Sequence, residues 1–163
     1  RDRALLEGIF CGSYQANFEH DMRWWLVCHA VSVLPFCYLA YRLDCDLTKA
    51  TAADVTALTD AMLEGYEVVL AAGGMILPEG DEEFLKPGPK RVAWELALRV
   101  MAKTAIGRLC VTDHCRHAVS EMRALDEGVA ELFAQAPGVA HPTWDAMRAA
   151  MPSWDELERV WQS

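Results

Sequence analysis

Apolar side chains recur at helical spacing along most of this chain, and strict alternation is nearly absent. Residues 3–10 read as the end of a helix. A connection over residues 11–19 follows, in which Tyr14–Phe18 is the one stretch that reads as a short strand. A long apolar helix is predicted from about Asp21 to Leu43, bent at Pro35 because proline removes an internal hydrogen bond. Asp44–Ala50 is a polar turn. Thr51 and Asp54 then make a variant capping box, and Val55, Leu58, Met62, Tyr66 and Val69 form an inward stripe opposite Thr56, Asp60, Glu64 and Glu67. Gly73 and Gly74 stop this helix.

The proline- and glycine-rich stretch 74–89 is the longest loop, and its acidic run Glu79, Asp81, Glu82 and Glu83 reads as solvated. Pro89 suits a helix start. In the helix it opens, Ala93, Leu96, Ala97, Val100 and Thr104 are expected to face inward, with Glu95 paired to Arg99. A further helix is expected from near Thr112, with Val111, Cys115, Ala118, Met122, Leu125, Val129 and Leu132 on one seam. Pro137–Gly138 breaks it. Two short helices close the chain, capped by Thr143 and by Ser153 with Glu156. The expected fold is all-α, one helical domain over residues 1–163.

Composition agrees with that class. Ile occurs three times and Asn once in 163 residues, while Ala and Leu dominate. With 15 basic and 24 acidic side chains the net charge is −9, which argues against a nucleic-acid backbone or an anionic membrane surface as partner. Trp24–Tyr41 carries no formal charge and reaches the lower limit for a bilayer span. His29, Ser32 and Pro35 inside it, and its weakly charged flanks, favour the buried central helix of a helical domain, so no membrane is expected. The six cysteines form no CxxC, several lie in apolar stretches, and no signal-peptide pattern opens the chain. The expected compartment is a reducing cytoplasm.

The densest polar cluster is Cys110, Asp113, His114, Cys115, Arg116 and His117. On one continuous helix Cys110, Asp113, His114 and His117 share a face and are residue types that ligate zinc. The same residues read equally as a helix start with Thr112 or Asp113 as cap and Cys115 buried. His29 and Ser32 read either as satisfied core residues or as pocket lining. The tryptophans at 24, 25, 94, 144, 154 and 161 read as core and lid, with Trp154 and Trp161 as alternative anchors for a partner. No phosphate-cradling glycine motif and no nucleophile elbow occurs.

Taken in order, the segments resemble the C-terminal domain of ketopantoate reductases. Arg3–Phe10 (RALLEGIF), Asp21–Trp24 (DMRW) leading into a helix with Pro35, Met62–Gly73 (MLEGYEVVLAAG), Arg116–Leu125 (RHAVSEMRAL) and Pro137–Met151 (PGVAHPTWDAMRAAM) carry the likeness. The resemblance implies an all-helical domain beside an N-terminal Rossmann domain that binds NADP(H), with hydride transfer to a 2-oxo acid in the cleft between them. On that reading Arg1 follows the nucleotide-binding domain, which is the expected partner, and the cofactor is NADP through that domain alone. The family's catalytic Lys falls on Leu26, its two Asn on Ala30 and Leu34, its paired Ser on Arg116 and His117, and its acidic residue near Val129. No catalytic residue carries over. Trp24, His29, Arg116 and His117 are the expected substrate-facing candidates, with Arg116 suited to hold a carboxylate. Two alternatives stand beside this reading: a non-enzymatic interaction module whose Trp-rich end helices bury against a partner, giving a stable oligomer (a homodimer being one form) through residues 143–163, and a metal-binding domain built on Cys110, Asp113, His114 and His117.

Overall fold

The computed structural model describes residues 2–9 and 18–161, and among these every regular element is helical. The connection over residues 11–17 and most of the expected Tyr14–Phe18 strand lie outside the described residues, and Phe18 itself is not in a strand.

Helix α1 (Asp2–Ile9) is followed by the central helix α2 (Met22–Arg42), whose start is fixed by the Asp21 carboxylate accepting from Trp24 N at 3.1 Å. From Cys28 to Tyr41 most of α2 is buried, Pro35 included. By length and composition α2 could cross a membrane, yet 56% of its apolar window is buried inside the molecule, where it packs against several other helices. The Asp44 and Cys45 backbones both take left-handed conformations, φ 54° and 53°, to turn the chain out of α2.

Helix α3 (Ala52–Ala71) starts at the predicted Thr51–Asp54 capping box, with both reciprocal bonds formed. Its stripe Val55, Leu58, Met62, Tyr66 and Val69 is buried as expected. Gly65 lets α3 approach closely: a Cβ there would collide with Val31 Cγ1 of α2 and come within 3.1 Å of the Trp144 ring. Glu64 is not a solvated residue of the outer face. Its carboxylate accepts from Thr143 N and Trp144 N at 3.1 and 2.8 Å, so it caps α8 (Pro142–Ala149) from outside that helix. His141, not Thr143, occupies the N-cap position of α8.

Helix α4 (Pro89–Met101) is rotated relative to expectation. Leu98 is buried and Trp94 and Met101 are half-buried, whereas Val92, Leu96 and Val100 are 59–67% exposed. Arg91 explains the choice. It donates to Glu95 at 2.8 Å and to Asp60 of α3 at 2.7 Å, and to the Leu85 carbonyl at 3.2 Å, pinning that face inward. Glu95 therefore pairs with Arg91 and Thr59 rather than with Arg99.

After α4 comes one winding run: α5 (Ala105–Gly107), a π-helical turn over Arg108–Thr112, and α6 (Asp113–His117). Gly107 does more than loosen a helix end, since a Cβ would stand 2.5 Å from the Met101 carbonyl. The single seam expected from Thr112 onward is interrupted at Ala118 (φ −126°, ψ 33°), after which α7 (Val119–Ala134) begins. Helix α9 (Trp154–Trp161) ends the described chain, with Ser153 and Glu156 forming the predicted cap.

One buried carboxylate ties four helices together. Asp126, 1% exposed on α7, accepts from Tyr38 Oη of α2 at 2.5 Å, from Arg148 Nε and Nη2 of α8 at 2.8 and 2.7 Å, and from Trp154 Nε1 of α9 at 3.0 Å. The bidentate guanidinium and two neutral donors occupy its lone pairs, which is what a buried charge requires. Burial, with Asp126 as hydrogen-bond partner, pushes the Tyr38 hydroxyl far above its ordinary range, so Tyr38 stays a donor.

Candidate functional site

The four side chains expected to face a substrate do not meet. Trp24 packs over Gly74 at the start of α2, and His29 is exposed and stacked on Trp25 at 5.2 Å rather than buried. Arg116 donates to the Cys45 carbonyl beyond the other end of α2, roughly 30 Å away at the rise of an α-helix. His117 is exposed, with its Nδ1 held 2.6 Å from the Asp113 carbonyl.

Among the described residues no three His, Cys, Asp or Glu side chains converge in a way that would hold a metal ion. Cys110 lies exposed on the π-helical turn and Cys115 is fully buried in α6, so the shared face that one regular helix would give is not formed. The Trp-rich end is not a free docking face either. Trp144 is buried, Trp154 is committed to Asp126, and Trp161 lies beneath the Arg116 guanidinium at 5.1 Å.

Three hollows among the described residues bear on the expected sites and their chemistry. Between α2 and α7 runs a shallow groove of about 270 Å³ lined by Leu26, Val27 and Ala30 on one side and Leu125, Val129 and Leu132 on the other. These include Leu26, Ala30 and Val129, three positions at which the resemblance to ketopantoate reductases would put polar side chains. The groove they line carries no donor, acceptor or charge from a side chain. Leu34 is fully buried and belongs to the core instead.

The second hollow, about 660 Å³, lies where the turn after α2 faces α5. Lys49, Lys103, Arg108 and Arg116 line it with Asp44 and Asp46. Arg116 is held by the protein on two sides, by the Cys45 carbonyl and the Trp161 ring, and its buried Nε has no partner. Burial raises the neighbouring Cys45 thiol to about 11, so it is protonated at neutral pH.

The third hollow is the best formed for a small organic molecule. It measures about 470 Å³ and lies between α2 (Ser32, Val33, Phe36), α3 (Met62, Tyr66), α4 (Trp94, Leu98, Met101) and the loop residues Asp81, Phe84 and Leu85. The loop is fastened from beneath by Cys28, whose thiol donates to the Met75 carbonyl and accepts from Leu77 N, both at 3.4 Å. The acidic run is thus not simply solvated. Asp81 reaches this apolar cavity, and burial, reinforced by Glu82, raises its pKa. Trp94 Nε1 is buried without a hydrogen-bond partner. The sequence pattern concealed this hollow because its polar members are spread over helix, loop and helix, at positions 32, 66, 81 and 94.

Comparison with protein-family models, with curated proteins and with solved structures gives no significant match, so fold and site stand on the geometry alone.

Proposed function

We propose that this chain is the helical domain of a diverged two-domain protein of the ketopantoate-reductase type, in which it shapes a cleft and supplies no catalytic side chain. One observation carries the reading: Leu26, Ala30 and Val129, assigned by segment order alone, line the same α2–α7 groove. Leu26 and Ala30 share one face of α2 and Val129 faces them from α7, while Leu34, Arg116 and His117 from the same mapping lie outside the groove. The groove also limits the chemistry. Reduction of a carbonyl needs a proton donor and a cation or dipole for the developing alkoxide, and this wall offers neither. The described residues form no strand and the sequence has no G-x-G-x-x-G turn, the features on which a Rossmann domain holds a nicotinamide nucleotide. NADP(H) would be held by the partner domain.

The test is titration of the full-length gene product with NADPH, followed by assay with a panel of 2-oxo acids. Binding of NADPH without its consumption is the expected outcome. Turnover comparable to an ordinary reductase would overturn the non-catalytic assignment, and absence of NADPH binding would overturn the domain assignment.

The exposed stripe Val92, Leu96 and Val100 of α4, continued by Ile106 and Leu109, favours a second reading as an interaction module, at a different face from the Trp-rich end. Light scattering separates the two: a dimer that Leu96→Glu dissociates supports the module, and a monomer at all concentrations removes self-association.

A further inference from the structure

The cavity between α2, α3 and α4 holds an acid without a base. No side-chain hydrogen bond or salt bridge reaches the Asp81 carboxylate among the described residues, while the neighbouring Glu82 keeps one buried oxygen, Oε2, unpartnered as well. The nearby cations are engaged on the outside: Lys86 with Glu82 and Glu83 at 3.6 and 2.6 Å, and Lys90 over the outer Phe84 ring at 5.8 Å. A carboxylate without a partner at the edge of an aromatic-walled cavity lacks one thing, a positive charge.

We propose that this cavity binds an organic ammonium ion, a primary amine on an aryl or branched alkyl body, with Asp81 as its counter-ion and the aromatic rings as its walls. The site shares no residue with the α2–α7 groove and stands independently of the reading above. Phe36, Tyr66, Phe84 and Trp94 bring ring faces or edges to the space, which suits both the apolar body and the cation. An anion would meet the Asp81 carboxylate and be repelled. A neutral apolar guest would strip water from Asp81 and give nothing in return.

The test is calorimetric titration of the 163-residue chain with three probes that share one skeleton: phenylpropylamine, phenylpropanol and phenylpropanoate. The amine should bind at least tenfold more tightly than the alcohol, and the carboxylate weakest. Asp81→Asn should remove the amine's advantage while the alcohol binds at least as tightly as before, which also serves as the control for an intact cavity. Equal binding of amine and alcohol, or an amine affinity insensitive to Asp81→Asn, would overturn the ammonium assignment while leaving a ligand cavity. Binding of none of the three would overturn the cavity as a site. A Val33→Trp variant that fills the space should abolish binding of the amine; unchanged binding would place the amine elsewhere and overturn the proposal.

Discussion

At the scale of single residues, Asp126 makes the largest demand on the fold. Its charge is buried, and Tyr38, Arg148 and Trp154 each give it a donor from a different helix. Replacing it with Ala leaves three donors without an acceptor and one guanidinium without its counter-ion. Asp126→Ala should therefore cost about 3–5 kcal/mol in urea unfolding; a loss below 1 kcal/mol would mean the hub is decorative. Its presence was half legible in sequence, because an acid falls in the seam between Met122 and Val129. Its partners were not, since periodicity says nothing about residues 22 to 88 positions away. Gly65 makes the complementary demand, for space. A methyl group there meets Val31, a fully buried β-branched side chain with nowhere to turn, and the Trp144 ring. Gly65→Ala should cost about 1–3 kcal/mol through overpacking, despite alanine's better helix propensity; a stabilised variant would contradict the close approach of α3, α2 and α8.

At the scale of elements, α4 illustrates where a pattern reading must stop. Its sequence carries two apolar stripes, one through Trp94, Leu98 and Met101 and one through Val92, Leu96 and Val100, and helical spacing fits both. What decides is polar: Arg91 reaches Glu95, Asp60 and the Leu85 carbonyl only with the first stripe inward. Leu98→Ala should cost about 2–5 kcal/mol in thermal or urea unfolding and Leu96→Ala less than about 1 kcal/mol. The reverse order would restore the rotation expected from sequence. The start of α3 is legible because its cap, Thr51–Asp54, is local chemistry, and α2 is legible from its unbroken apolar run, with Asp21 as its cap seen only in the structure. The run from Ala105 to His117 was read poorly, because a π-helical turn has no short-range signature and it moved the Cys110–His117 cluster off one face.

At the scale of the whole molecule, carboxylates of opposite character set the pH response. Burial opposes ionisation of Asp54, but the Thr51 backbone and hydroxyl with Arg42 outweigh it and hold the pKa low. Glu95 is likewise opposed by burial and held low by Arg91 and Thr59. Their stabilisation is present above the unfolded values and disappears as pH falls through the folded ones, so the fold should weaken below about pH 4. Asp81 has the opposite sign. Its pKa is raised in the folded chain, so its charge opposes folding at neutral pH and that cost vanishes on acidification. Asp81→Asn should therefore be more stable than the parent chain at pH 7 and equal to it below about pH 3; a variant less stable at pH 7 would show that Asp81 has a partner in the fold.

The all-α class was legible in composition and spacing. The apolar cavity was not, because it is made by tertiary packing of four segments, none of which is unusual alone. The central claim, that this is the helical half of a diverged reductase-type protein, is tested most directly by the coding sequence that lies upstream of Arg1. A βαβ unit with a glycine-rich turn, ending shortly before Arg1, is the predicted result. A reading frame that opens near Arg1, or that continues upstream without such a unit, would contradict it.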